Sequence, residues 1–424
     1  MPLPDGPIPT YRIDVALPPE QRYVEVARDF APRMRDVTNV FDELLLSIFR
    51  YPLLCRVARF CAKALFRRLY DDEHNREVRS ISKTAGVDLY LVIALNILLD
   101  ALMSCTAGCI LTEPRRSADG IKGSRLMHFR TLDWGMDPLR ELLIVVEFVD
   151  SRQDPELVIA TSVTYAGFVG TLTAARPGLS LSLNYRPTRQ CSKKALRKHQ
   201  LLVLLGFRPS ISSILRSVIL DKKTWPLEQT STSDNAPSPL LSLATRLAKE
   251  PSSPCYLTLS DSKEAVVIEK DLHTGKIKTS NQFIVQANHD THSSSCCRRR
   301  PGSPADPTNA QAALLGQELF LEDSEQRMGM MQEKWLLHTV GSRSSNPEDV
   351  KSEDKNGLCL DEGVHGPASR PKKGVRESFL EEWMMEFPII NECTHYACIM
   401  DPLTGKVRWL QRGMIEYDPG NPRF

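Results

Sequence analysis

The sequence predicts an α+β protein: a mainly helical stretch, then strands, helices and strands again. Three observations carry that reading. Apolar residues recur at helical spacing through most of residues 1–104. From Cys105 the runs become short, alternating and rich in β-branched residues. Strand candidates fall into groups with a helical section between them, and do not alternate with helices one by one as βαβ repeats would.

Taken in order, residues 10–17 (TYRIDVAL) alternate and read as a strand. The Pro18-Pro19 pair, with Glu20 in the first turn, marks a helix start. Helical spacing continues through Arg50 and again across 55-CRVARFCAKALFRRLY-70, where Cys55 and Cys61 are expected as small packing residues. The longest apolar run is 89-LYLVIALNILLDALMSC-105. Asn96 and Asp100 interrupt it, and a span of the bilayer needs about 20 mostly uncharged residues, so a buried helix feeding a strand is expected. Strands are then expected at 125–134, 141–150, 157–175 and 179–187, helices at 194–222 and 238–249. Strands at 255–261, 264–271 and 282–290 follow, and a last pair at 394–402 and 406–413. Two stretches, 291–311 and 341–374, are rich in Ser, Pro, Gly and charge and are expected as disordered or loosely ordered inserts.

The totals exclude some classes. Fifty-four Lys and Arg against 52 Asp and Glu leave a net charge of +2, no field to draw the chain to nucleic acid or an anionic membrane. The 11 cysteines are odd in number and irregularly spaced, unlike a disulfide-stapled secreted scaffold. The first fifteen residues have neither a basic n-region nor an apolar h-region, so no secretory signal is read and a reducing, intracellular setting is expected, cytoplasmic or of no assigned compartment.

Cys105 and Cys109 stand at the junction between the helical and strand regions. A C-x3-C spacing with no nearby His or Cys pair does not complete a zinc site. A disulfide does not suit a reducing compartment. Spacing alone leaves core packing as the plain reading and a nucleophile as the alternative.

The surrounding motifs bear on that choice. Cys105-Thr106-Ala107 is followed by 128-HFRTLDWG-135, 165-YAGFVGTLTAARPGLSLSLNYR-186 and 284-IVQANHD-290. This series, in this order, resembles the acid ceramidase and N-acylethanolamine acid amidase family, in the choloylglycine-hydrolase branch of the N-terminal nucleophile hydrolases. There the catalytic chain begins C-T-S-I/V-V and continues to G-R-N-x-D. The N-terminal PTYRIDVALPPEQR is similar to the family's Y-x-I-N-L-D-L-P-P-x-x-R, and 77-EVRSISKTAGVDL-89 looks like the stretch before its cleavage point. The likeness covers most of residues 9–290 and, more weakly, 315–337 and 380–413.

The resemblance implies a four-layer αββα sandwich. A mainly helical pro-segment, residues 1–104, would precede a catalytic domain, 105–424, and stay associated with it after the Ser104–Cys105 bond is cut. Cys105 would be the nucleophile, its freed α-amine the base, and Cys109 a packing residue on the same strand face. Asp133 would hold the amine. Arg130 would favour the thiolate and orient the scissile carbonyl. Asn288 would supply an oxyanion-hole N–H. For the family's late arginine, Arg327 fits its surroundings better than Arg298 of the CCRRR run. Asn184 and Tyr185 fall at the substrate-binding N-E-R motif, and Tyr185 stands where the family usually has Glu.

The implied reaction is hydrolysis of the amide of a lipid N-acyl amide. Ceramide, giving fatty acid and sphingoid base, is the first expectation and an N-acylethanolamine the second. No metal or organic cofactor and no nucleic-acid partner are expected, and contact with a membrane surface would be transient. The rival is a non-catalytic acyl-lipid-binding relative that keeps the fold. Tyr185, the inserts and the lack of a readable secretory signal favour it; Cys105, Arg130, Asp133 and Asn288 argue against it.

Overall fold

A computed structural model describes residues 6–38, 51–98, 104–113, 123–187, 190–221, 237–291, 317–341 and 374–413. The expected inserts fall almost wholly outside these residues, as does Arg298. Helices α1 (Pro19–Arg22), α2 (Val24–Asp29), α3 (Ala31–Asp36), α4 (Pro52–Leu65), α5 (Asp72–Ala85) and α6 (Leu89–Leu98) make up most of the N-terminal segment. Strand β1 (Thr10–Asp14) precedes them and β2 (Ser104–Thr112) follows. Next come β3 (Arg125–Asp133), β4 (Leu143–Val149), β5 (Ala160–Tyr165), β6 (Thr173–Arg176) and β7 (Leu179–Tyr185). Helices α7 (Lys193–Leu204), α8 (Ile211–Leu220) and α9 (Pro239–Lys249) lead to β8 (Cys255–Ser260), β9 (Ala265–Lys270), β10 (Gly275–Ser280) and β11 (Phe283–Gln286). The chain continues with α10 (Gln317–Gly341), α11 (Glu377–Met384), β12 (Thr394–Asp401) and β13 (Lys406–Arg412).

The strands form an eight-stranded sheet, β1-β4-β5-β6-β7-β8-β9-β10, and a five-stranded sheet, β11-β2-β3-β12-β13. They pack face to face: β2 lies on β7 and β8, and β12 and β13 lie on β6. Helices α8 and α9 cover the outer face of the large sheet, and α10 covers β11 and β2 of the small one. The result is the αββα order. Being covered on both faces explains why β7, β8 and β9 are almost wholly buried rather than alternating in exposure. One apolar cluster fills the space between the sheets; a second, with Ile110, Met127, Phe129, Met331 and Met384, lies under α10 and α11.

The N-terminal segment is not a separate body. Its β1 pairs in parallel with β4, Thr10 opposite Val145 and Asp14 opposite Val149. Glu77 of α5 is buried and receives Arg216 Nη2 of α8 at 2.6 Å, while Arg22 Nη1 reaches it at 3.1 Å.

Three sequence readings need correction. Residues 157–175 are not one strand but two, β5 and β6, because the chain turns through Gly167 at φ 93°. Strand β10 was not foreseen: its two lysines, Lys276 and Lys278, hid it, and it is the edge strand where such charges are tolerated. Cys61 is exposed, not packed.

Candidate active site

Strand parity builds the site. On β2, Cys105 and Cys109 face the large sheet, while Ser104 and Thr106 face α10. On β3, opposite in register, Arg130 faces the large sheet and Asp133 faces α10. The five-stranded sheet therefore carries the thiol on one face and the carboxylate on the other.

On the inner face, Arg130 Nη2 lies 3.2 Å from Cys105 Sγ. Its Nη1 donates to the carbonyls of Leu183 (2.7 Å) and Leu172 (3.3 Å) and to Asn184 Oδ1 (3.4 Å). Arg130 is fully buried, and among the described residues no carboxylate pairs with it; its Nε has no hydrogen-bond partner. An uncompensated buried cation is costly, and the polarisable group nearest this one is the Cys105 sulfur. Burial pushes that thiol up to about 11, against the pull of Arg130. It is therefore protonated at neutral pH.

On the outer face, Arg327 of α10 is also fully buried. Nη1 donates to Thr106 Oγ1 (2.6 Å) and Asp133 Oδ2 (3.2 Å), Nη2 to Ser104 Oγ (2.6 Å) and Asn288 Oδ1 (3.2 Å). Asp323, one turn earlier, pairs with it at 2.9 Å. Asp133 Oδ1 accepts from Thr394 at 2.6 Å.

Asn288 links the two faces. Strand β11 pairs with β2, Gln286 opposite Ala107, so two residues further on Asn288 comes opposite Cys105. Its Oδ1 accepts the Cys105 N–H (2.8 Å) and the Ser104 hydroxyl (3.0 Å), and its Nδ2 donates to the Tyr185 carbonyl (2.8 Å). With only donors around Oδ1, the orientation of the amide is fixed. The backbone N–H of Asn288 is taken by Ser324 Oγ at 2.7 Å, so any N–H it offers a substrate oxygen must come from the side chain. This departs from the backbone donor one would ordinarily expect of an oxyanion hole.

Glycine makes the β11–β2 approach possible. A methyl group at Gly108 would overlap the Ile284 carbonyl and the Phe129 ring.

Burial raises Asp133 to about 6, opposed by Arg327 and by the Thr394 hydrogen bond. The folded chain thus holds this proton more tightly than an unfolded one does. The stability it contributes is complete below about pH 4 and lost as the pH passes about 6, roughly 3 kcal/mol for the two pKa units. In a Cys105→Ala background, the effect on stability of adding Asp133→Asn should shift towards stabilisation as the pH rises from about 4 to about 7. Denaturant unfolding across that range reads the difference; a difference flat with pH would show that Asp133 titrates as an ordinary aspartate.

The structure gathers Cys105, Arg130, Asn184 and Asn288 around the thiol, and Asp133 and Arg327 behind it. Tyr185 contributes its carbonyl to Asn288. Sequence reasoning missed Ser104, Thr106, Thr131, Ser324 and Thr394, hydroxyls that carry no periodic signal. Among the described residues no group of His, Cys, Asp and Glu could hold a metal ion, and no helix is long and apolar enough to cross a membrane.

Two stacked sheets between helical layers, with a cysteine near the start of an inner strand, make the class an αββα sandwich. Residues 6–70 match the family model for the beta subunit of N-acylethanolamine-hydrolyzing acid amidase. Acid ceramidase of Mus musculus is 29% identical over 196 residues, 43% of this chain and 46% of that protein. Acid ceramidase of Heterocephalus glaber is 25% identical over 310 residues, 67% of this chain and 70% of that protein. A solved structure, the Caenorhabditis elegans N-acylethanolamine-hydrolyzing acid amidase ortholog, superposes with a TM-score of 0.41 at 16% identity over 71% of this chain and 93% of that one. The matched stretch is thus under half the length of the mouse protein. The sequence matches agree with the motif resemblance: parts of the chain are similar to acid ceramidases and to the N-acylethanolamine-hydrolyzing acid amidase model. They lend no support to the cytoplasmic setting expected from the sequence.

Proposed function

We propose that the chain is a self-processing cysteine amidohydrolase acting on lipid N-acyl amides, ceramide first and N-acylethanolamines second. One observation carries the reading: a buried arginine without a counter-anion, Arg130, lies 3.2 Å from the Cys105 sulfur, the same residue whose nitrogen is held by Asn288 at 2.8 Å. A core cysteine needs neither contact.

In the uncut chain the sulfur of the Cys105 thiol would attack the Ser104 carbonyl carbon as it gives up its proton. The C–N bond breaks, the thiol proton passes to the departing nitrogen, and water hydrolyses the resulting thioester. Ser104 then ends in a carboxylate, and Cys105 begins a chain with an α-amine of ordinary pKa about 7.7–8.0. That amine can take the thiol proton in each later cycle and return it to the leaving amine of the substrate. Arg130 stabilises the thiolate, and the Asn288 side chain and Arg327 keep the amine in place. Full burial of Cys105 in the uncut chain fits a precursor, since a substrate carbonyl cannot reach it.

The cut N-terminal segment, 1–104, would stay in place. Strand β1 is hydrogen-bonded into the large sheet, and Glu77 is buried against Arg216. The family model matched by residues 6–70 is named for a subunit, which suits a two-chain product. Purified protein offered ceramide and an N-acylethanolamine in separate assays tests the substrate class. Release of fatty acid from ceramide is expected; release from neither would overturn the reading.

A further inference from the structure

Ser324 lies on α10 one turn before Arg327 and is fully buried. Its Oγ is 2.7 Å from the Asn288 nitrogen and 2.8 Å from His289 Nδ1. A backbone N–H can only donate, so the hydroxyl accepts there and keeps its one hydrogen free to give to Nδ1 of a neutral imidazole. In that arrangement His289 carries its own proton on Nε2. The pair does not form a second nucleophilic triad. Asp290, the nearest acid in sequence, is held at 2.7 Å on each oxygen by Arg186 and at 2.8 Å by the Tyr256 hydroxyl. What the Ser324 hydroxyl does reach is Asn288. That residue stands two positions beyond the last residue of β11, where no ladder bond fixes its backbone.

We propose that Ser324 and His289 are positioning residues for the Cys105 centre: the hydroxyl, oriented by the imidazole, fixes the Asn288 backbone and so aims the Asn288 side chain at the Cys105 nitrogen. This rests on the amidohydrolase reading above. The same helix face that delivers Arg327 to Asn288 Oδ1 delivers Ser324 to Asn288 N, so both ends of one residue are set by one element. An amine whose lone pair must meet the neighbouring thiol needs its acceptor held to a fraction of an ångström, and misplacement by 1 Å costs about a hundredfold in rate. The link requires a neutral His289. Burial and Arg327 hold its pKa down at about 4, with Asp290, Lys278 and Glu269 also facing it.

The test uses the full-length protein, with chain cutting at 104–105 and ceramide hydrolysis as parallel readouts. Ser324→Ala is expected to lower kcat and the cutting rate about ten- to a hundredfold with KM within about threefold of the parent, and Ser324→Thr, which keeps the hydroxyl, to restore both. His289→Asn keeps an acceptor near the Nδ1 position and cannot titrate; His289→Phe removes the acceptor. The first should retain most activity and lose relatively less than the parent below about pH 4, while the second should resemble Ser324→Ala. A Ser324→Ala protein with parental rates, or with a defect confined to KM, would overturn the proposal. If Ser324→Ala does not fold by circular dichroism, the two His289 variants decide, and equal rates for them overturn it. A parent that neither cuts nor hydrolyses ends the amidohydrolase reading and this proposal together, whereas an active parent with an indifferent Ser324→Ala ends this proposal alone.

Discussion

Cys105→Ala is expected to leave a single uncut chain with no amidase activity. One sulfur serves both steps, so both should vanish together. Loss of a nucleophile with its partners in place costs about 10⁴–10⁶ in kcat, below detection in most assays. Cys109→Ala is the internal control. Cys109 is just as buried, four residues along the same strand face, and packs against Leu126 and Ala265. Its thiol touches Ser260 and no arginine, so packing and that one contact are at stake, on the order of 1 kcal/mol, and cutting should proceed. Denaturing electrophoresis and a fatty-acid release assay read both variants. Cutting that persists in Cys105→Ala would mean that another protease makes the break.

Arg130→Met should separate stability from activity. A buried residue kept for the fold loses stability when replaced. A buried cation without an anion does the opposite: an apolar side chain of similar volume relieves its desolvation cost and is neutral or stabilising by about 1–4 kcal/mol. The carbonyls of Leu183 and Leu172 lose a donor, which offsets part of that gain. Activity should fall by about 10²–10³ or more, the loss seen when one donor to a developing negative charge is removed. Unfolding measurements on the uncut Cys105→Ala background, with and without Arg130→Met, and rates on the parent background give the two numbers. A variant that unfolds readily yet turns over substrate normally would make Arg130 a structural residue.

Much of this arrangement was legible in the sequence because the chemistry-bearing residues stand in ordered motifs. Cys105, Arg130, Asp133 and Asn288 were all singled out. What could not be read was how they meet. Arg130 and Asp133 are three apart on one strand, so they must face opposite ways, but which of them shares a face with the thiol depends on the β2–β3 register. That Asn288 lies opposite Cys105 depends on β11 pairing with β2 across some 180 residues of chain, a non-local contact that no local pattern encodes. Arg327 was preferred over Arg298 from its neighbours alone; its four-way contact with Ser104, Thr106, Asp133 and Asn288 comes from α10 packing on the small sheet. Ser324 and Thr394 left no trace in the sequence, because a hydroxyl that holds a carboxylate or an amide looks like any other surface serine or threonine until its partner is in place. The same holds for β10, whose lysines read as loop until the sheet edge is seen.

The central claim is that one residue supplies both the nucleophile and, after cutting, the base. The most direct test is N-terminal sequencing and intact mass of the protein fraction that hydrolyses an N-acyl lipid amide. Two chains should be found, one of them beginning at Cys105 with a free amine, and blocking that amine by acetylation should abolish turnover. Full activity from an uncut chain, or from one beginning at any other residue, would contradict the account.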